Sequence, residues 1–99
     1  MKIDEIKLKT QPIFRKYHVG FAGLFGSHAR GQAHSNSDVD FLVAFEKIPS
    51  LVRFIRLENE LEKILNLNVD LVVSGSEKPL IKPQIYRDLI SVYGQRPAV

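Results

Sequence analysis

Three aspartates and one Gly-Ser step make up the chemistry-bearing pattern of this 99-residue chain. Asp38 and Asp40 lie two apart in Ser37-Asp38-Val39-Asp40-Phe41-Leu42-Val43, a run whose β-branched and aromatic residues read as a strand. Residues i and i+2 of a strand project from one face, so both carboxylates can share a hard cation while Val39 packs inward. Asp70 interrupts the apolar run Val69-Asp70-Leu71-Val72-Val73, where a lone buried carboxylate is costly unless something compensates. If the two strands are neighbours, Asp70 completes a three-carboxylate site for one or two Mg²⁺ ions. At Gly26-Ser27 the missing side chain lets a phosphate approach the backbone, and free amides and the Ser27 hydroxyl offer donors. Such a set suits phosphoryl or nucleotidyl transfer: in-line attack on the α-phosphorus of a nucleoside triphosphate expels pyrophosphate, with the attacking hydroxyl activated near Asp70.

Each feature also has a plainer reading. Gly26-Ser27 can be an ordinary helix cap, and Asp38 can cap a turn while Asp40 is solvated. Asp70 can sit on the exposed face of an edge strand.

The elements that must position these groups follow from periodicity. Ile3, Ile6, Ile13, Phe14 and Tyr17 fall near helical spacing, with Pro12 marking a kink or a start. Val19 to Phe25 is a compact apolar strand, and Ser27 opens one short helical turn that Gly31 ends. Residues 31 to 37 are small and polar, hence a loop. Asp38 to Phe45 is a strand with Val39, Phe41, Val43 and Phe45 on one face and Asp38, Asp40, Leu42 and Ala44 on the other. From Ser50 to about Leu65 an apolar stripe of Leu51, Phe54, Leu57, Leu61, Ile64 and Leu65 predicts an amphipathic helix. Val69 to Val73 follows as a short strand. Pro83 opens a last helix carrying Ile85, Leu89, Ile90 and Tyr93 on its core face, with Gly94 as its stop. The tail from Gln95 to Val99 is expected to fray. The order α-β-α-β-α-β-α predicts an α/β fold, a small mixed sheet flanked by helices, with residues 1–99 forming one domain.

Composition sets the bounds. With 44% hydrophobic and 25% charged residues the chain reads as a globular domain, and its shortness leaves room for a homo-oligomer or a partner to complete its apolar surface. The absence of cysteine excludes disulfides and thiolate metal sites. Acidic residues at Asp4 and Glu5, and the lack of a long apolar stretch, predict a cytoplasmic protein without a membrane segment. The net charge of +3 mildly favours polyanions such as nucleotides, but the cations are dispersed and poorly interleaved with aromatics, which argues against nucleic-acid recognition by stacking. His18, His28 and His34 lack the spacing of a zinc site and are expected to be solvated.

Gly26-Ser27-His28-Ala29-Arg30-Gly31, followed after the ten residues 28–37 by Asp38-Val39-Asp40, resembles the signature of minimal nucleotidyltransferases in the DNA polymerase β superfamily. Val69-Asp70-Leu71-Val72 resembles the strand that carries the family's third carboxylate, and Leu80-Ile81-Lys82-Pro83 the entry to its last helix. The resemblance implies metal binding by Asp38 and Asp40, metal or base function for Asp70, and ATP triphosphate binding by Gly26 and Ser27. It implies for Arg30 either a phosphate contact or a pinning of the loop through an acidic partner. Where relatives often carry Arg, this chain has His28. Family members of this size resemble the antitoxins of toxin–antitoxin pairs, and the resemblance implies transfer of AMP from ATP onto a tyrosine of a HEPN-type toxin. The rival expectation is an idle binding module that neutralises its partner by occlusion.

Overall fold

Alternation along the central strands sorts the side chains into two layers. In the computed structural model, which describes residues 1–96, Val39, Phe41 and Val43 are fully buried in one cluster with Ile6 and Phe14 of the first helix and Leu57, Leu61 and Leu65 of the second. Phe21, Leu42 and Ile85 are also buried, outside that cluster. The elements are α1 (Ile3–Lys16), β1 (Val19–Phe25), β2 (Val39–Phe45), α2 (Leu51–Leu65), β3 (Val69–Val73), α3 (Lys82–Asp88) and β4 (Ile90–Gly94). They form one four-stranded mixed sheet in the order β3-β2-β1-β4. The pairs β1–β2 and β1–β4 are antiparallel, and β2–β3 is parallel. A parallel pair needs a crossover, which α2 supplies.

Local sequence accounts for most element bounds. The Ser50 side chain accepts from the Arg53 amide at 3.2 Å and starts α2, and Asn66, in the left-handed region at φ 56°, ends it. Pro12 lies inside α1 without ending it. Its missing N–H orphans the carbonyl of Leu8, a residue 75% exposed, so water can take that bond.

Two elements depart from the expected order, which is α-β-β-α-β-α-β rather than α-β-α-β-α-β-α. After Ser27 there is no helix: the Arg30 amide bonds back to the Gly26 carbonyl at 3.1 Å, the Gln32 amide bonds to that of Ser27 at 2.9 Å, and Gly31 at φ 71° turns the chain away. The last helix stops at Asp88, and Ile90–Gly94 becomes β4 on the free edge of β1. Ile85, Leu89, Ile90 and Tyr93 do fall at helical spacing, but β1 offers a row of unpaired backbone groups, and as a strand the segment turns Val92 into the core. Gly94 is therefore no helix stop. It sits at φ 70° where any Cβ would run into the Gly20 carbonyl. Of the tail expected to fray, Arg96 is anchored by a 3.4 Å bond to the Tyr86 carbonyl, and residues 97–99 lie outside the described residues. No helix among the described residues is long and apolar enough to cross a membrane.

Candidate active site

Strand register brings the predicted carboxylates together. Phe25 pairs with Asp40, and Asp40 with Asp70, so the three form one row across β1, β2 and β3. Directly paired residues share a sheet face, with neighbouring strands about 4.8 Å apart. Asp38 immediately precedes β2 and is near enough for its charge to act on Asp40. The antiparallel run of β1 ends at Phe25, which delivers the Gly26-Ser27 turn to the mouth of the row.

Asp70 is placed otherwise than a buried strand implies. β3 is an edge strand, only Val69 in it is fully buried, and Asp70 is exposed. Solvent rather than a buried partner thus offsets the cost of its charge, while the register still sets it beside Asp40. The start of β3 is held by the Val69 amide, which donates to Glu62 Oε2 at 3.0 Å, and by the Val39 amide, which donates to the Asn68 carbonyl at 2.8 Å.

Gly26 and Asp40 are in close approach. Gly26 adopts φ 77°, and a Cβ there would collide with Asp40 Oδ2. Arg30 is the first amide to bond back within the turn, leaving those of Ser27, His28 and Ala29 free of it. Arg30 itself is pinned: its Nη1 reaches Asp88 Oδ2 at 2.8 Å and its Nε donates to Gln32 at 3.0 Å, tying the loop to α3. His28 is not solvated as expected. It is buried, and its Nε2 donates to the Ser37 carbonyl at 3.2 Å, clamping the loop just before Asp38. The signal that would have found it is its position inside a turn that folds under its own loop.

Electrostatics single out Asp40. Its carboxyl is pushed up to about 6, first by burial and then by the charges of Asp70 and Asp38, with His28 and Arg30 opposing. Among the described residues no three His, Asp or Glu side chains already converge as a metal cage. The donor set nonetheless fits Mg²⁺, an all-oxygen-ligand ion that takes one or two carboxylates and completes its shell with water and substrate phosphates. A dication here would relieve the repulsion that raises Asp40.

This has a measurable consequence. Between its ordinary value of 3.8 and about 6, the folded chain holds a proton on Asp40 that the unfolded chain has released, so this group's contribution to stability falls as pH rises and is regained on acidification. A two-unit shift corresponds to about 3 kcal/mol, reduced by solvent screening to about 1 kcal/mol, or about 5 °C in a domain of this size. Only the half of this below about 6 is regained between pH 7 and pH 5, so the change in Tm of metal-free protein should be about 2 °C more favourable to the acid side in the unsubstituted chain than in Asp40→Asn. Equal changes in the two proteins would refute the assignment.

Comparison with known proteins agrees with this geometry. Residues 8–98 match the family model described as polymerase beta, nucleotidyltransferase. The protein adenylyltransferase MntA of Thermococcus cleftensis is 48% identical over 77 residues, 78% of each chain. A candidate protein adenylyltransferase of Methanocaldococcus jannaschii is 41% identical over 92 residues, covering 93% of this chain and 99% of its own. Among solved structures, a candidate minimal nucleotidyltransferase superposes with TM-score 0.75 at 31% identity, over 91% of this chain and 95% of that one. A chain of a toxin–antitoxin crystal structure with AMP-PNP gives TM-score 0.75 at 25% identity, over 94% of this chain and 75% of that one. A Gly-Ser turn set against paired strand carboxylates, in a chain matched from residue 8 to residue 98, makes this protein a member of the polymerase beta nucleotidyltransferase family, of the minimal type.

Proposed function

We propose that this chain is an Mg²⁺-dependent protein adenylyltransferase that moves AMP from ATP onto a tyrosine hydroxyl of a HEPN-type toxin, acting as its antitoxin in the cytoplasm. The observation that carries the reading is the row Phe25–Asp40–Asp70, which sets carboxylates from two strands beside the Gly26 turn. The named activity of the Thermococcus relative and the AMP-PNP-bound toxin–antitoxin neighbour support it.

In this reading Asp38 and Asp40 hold Mg²⁺, with Asp70 as the third ligand or the base. The ion, when bound, supplies charge neutralisation for the triphosphate and lowers the pKa of the attacking hydroxyl. The free amides of the turn and the Ser27 hydroxyl receive triphosphate oxygens, and the Arg30 guanidinium, fixed by Asp88, adds positive charge nearby. The acceptor oxygen bonds to the α-phosphorus, its proton passes to the Asp70 carboxylate, and the bond to the β-phosphate oxygen breaks to release pyrophosphate. Asp70's exposure suits it to meet an acceptor borne on another protein.

The test is incubation with α-labelled ATP, Mg²⁺ and the toxin encoded beside it. Label on the toxin, with one pyrophosphate released per AMP transferred, is expected. Folded components that give neither would overturn the reading.

A further inference from the structure

α2 buries only part of its apolar surface. Leu57, Leu61 and Leu65 face the core, but Leu51, Val52 and Ile55 on the same helix are 74%, 59% and 46% exposed, and Ile48 just ahead of it is exposed too. The sequence pattern groups Leu51 with the core stripe, and the structure turns it outward. At about 100° per residue, Val52, Ile55 and Asn59 fall on one line, at i, i+3 and i+7, on the side of the helix opposite Leu57. Contiguous apolar side chains this exposed mark an interaction surface. We propose that this face is covered by a second copy of the chain, the two α2 helices packing parallel about a two-fold axis along the Val52–Ile55–Asn59 seam.

Three features select this occupant. The spacing is that of a two-stranded coiled-coil seam, in which Val52 and Asn59 take the a positions and Ile55 the d position between them. An Asn at such a position pairs with its own counterpart, its amide supplying both donor and acceptor, and so fixes the register of two parallel helices. Charge is self-complementary in that orientation alone. One flank of the seam carries Arg56 and Lys63 and the other Glu58, and none of the three has an ion-pair partner among the described residues. In a parallel pair opposite flanks meet, so Glu58 faces Lys63 of the second copy, five positions on, and Leu51 lies along the stem of its Arg56. An antiparallel pair would set cation against cation and Glu58 against Glu58. Glu62, next along the line, is held by the Val69 amide at 3.0 Å. Lastly, a seam of so few side chains buries less than the about 800 Å² per partner of a standard interface, which fits a weak, reversible dimer.

Because the chain has no cysteine, a single introduced thiol reports on one position. The experiment oxidises Val52→Cys and Asn59→Cys separately and as a mixture, with Leu8→Cys, on the exposed face of α1, as the control for chance collision. Each seam variant is expected to form its own disulfide-linked dimer at least tenfold faster than Leu8→Cys does. Sedimentation equilibrium of the unsubstituted full chain should show the mass of one chain at micromolar concentration rising to that of two chains toward millimolar. Ile55→Lys, at a half-exposed position where circular dichroism checks the fold, should weaken this association at least tenfold. Crosslinks that form only between Val52→Cys and Asn59→Cys mean an antiparallel pair and overturn the parallel seam. A chain that stays monomeric at every concentration, or an association that Ile55→Lys leaves intact, overturns the second copy as the occupant of this face. The nucleotidyl-transfer reading stands or falls separately, on label transferred from ATP.

Discussion

Asp40→Asn is expected to lower AMP transfer about a thousandfold while raising the Tm of the metal-free protein at pH 7. The opposite signs have one cause. Asn keeps the shape and volume of the side chain beside Gly26 but removes the charge that burial, Asp70 and Asp38 all disfavour. The same charge is what would attract the cation, so the feature that destabilises the fold is the one the proposed reaction would use. A variant that loses activity because it is misfolded would show a lower Tm, which separates damage from chemistry. Transfer within tenfold of the unsubstituted chain would remove Asp40 from the site. The variant also bears on the proposed antitoxin role: should it still neutralise a toxin partner fully, occlusion rather than modification would account for that role.

The site was more legible in the sequence than the fold around it. Asp-x-Asp spacing on a strand dictates a shared face; the structure places Asp40 in β2 and Asp38 one residue ahead of it, the strand beginning at Val39 rather than at Asp38. That Asp70 would neighbour them depended on which strands pair, and the parallel Asp40–Asp70 register fulfils it. Local pattern misled where a long-range contact decided the outcome. Ile90 and Tyr93 continue a helical stripe, yet the open edge of β1 draws them into β4, and a stripe carries no information about a free edge whose partner residues lie 66 to 73 positions away. His28 illustrates the same limit at small scale, since its burial comes from the loop closing through the Ser37 carbonyl. Arg30 lay between: a phosphate contact or an acidic partner was expected, and only the tertiary fold brings Asp88, 58 positions away, to it.

Gly26→Ala is the sharpest probe of the close approach between turn and carboxylate, and it is expected to reduce transfer at least a hundredfold. Two effects act together. An L-residue at φ 77° is strained by about 1 kcal/mol, and its Cβ would occupy the space of Asp40 Oδ2. The carboxylate, being the flexible partner, must swing away, carrying a proposed metal ligand off its position and narrowing the approach of a phosphate to the turn amides. Gly75→Ala provides the matched control, because Gly75 has φ 96° with nothing within 4 Å of a built Cβ. It shares the backbone strain without the collision. Chemical denaturation should therefore show a loss of about 1 kcal/mol in both variants, whereas the transfer assay should separate them, Gly75→Ala remaining within a few fold of the unsubstituted chain. If Gly26→Ala transfers AMP as well as Gly75→Ala does, the contact between residue 26 and Asp40 is incidental packing. Loss confined to Gly26→Ala would instead mean that glycine is required there because the catalytic carboxylate occupies the volume a side chain would fill.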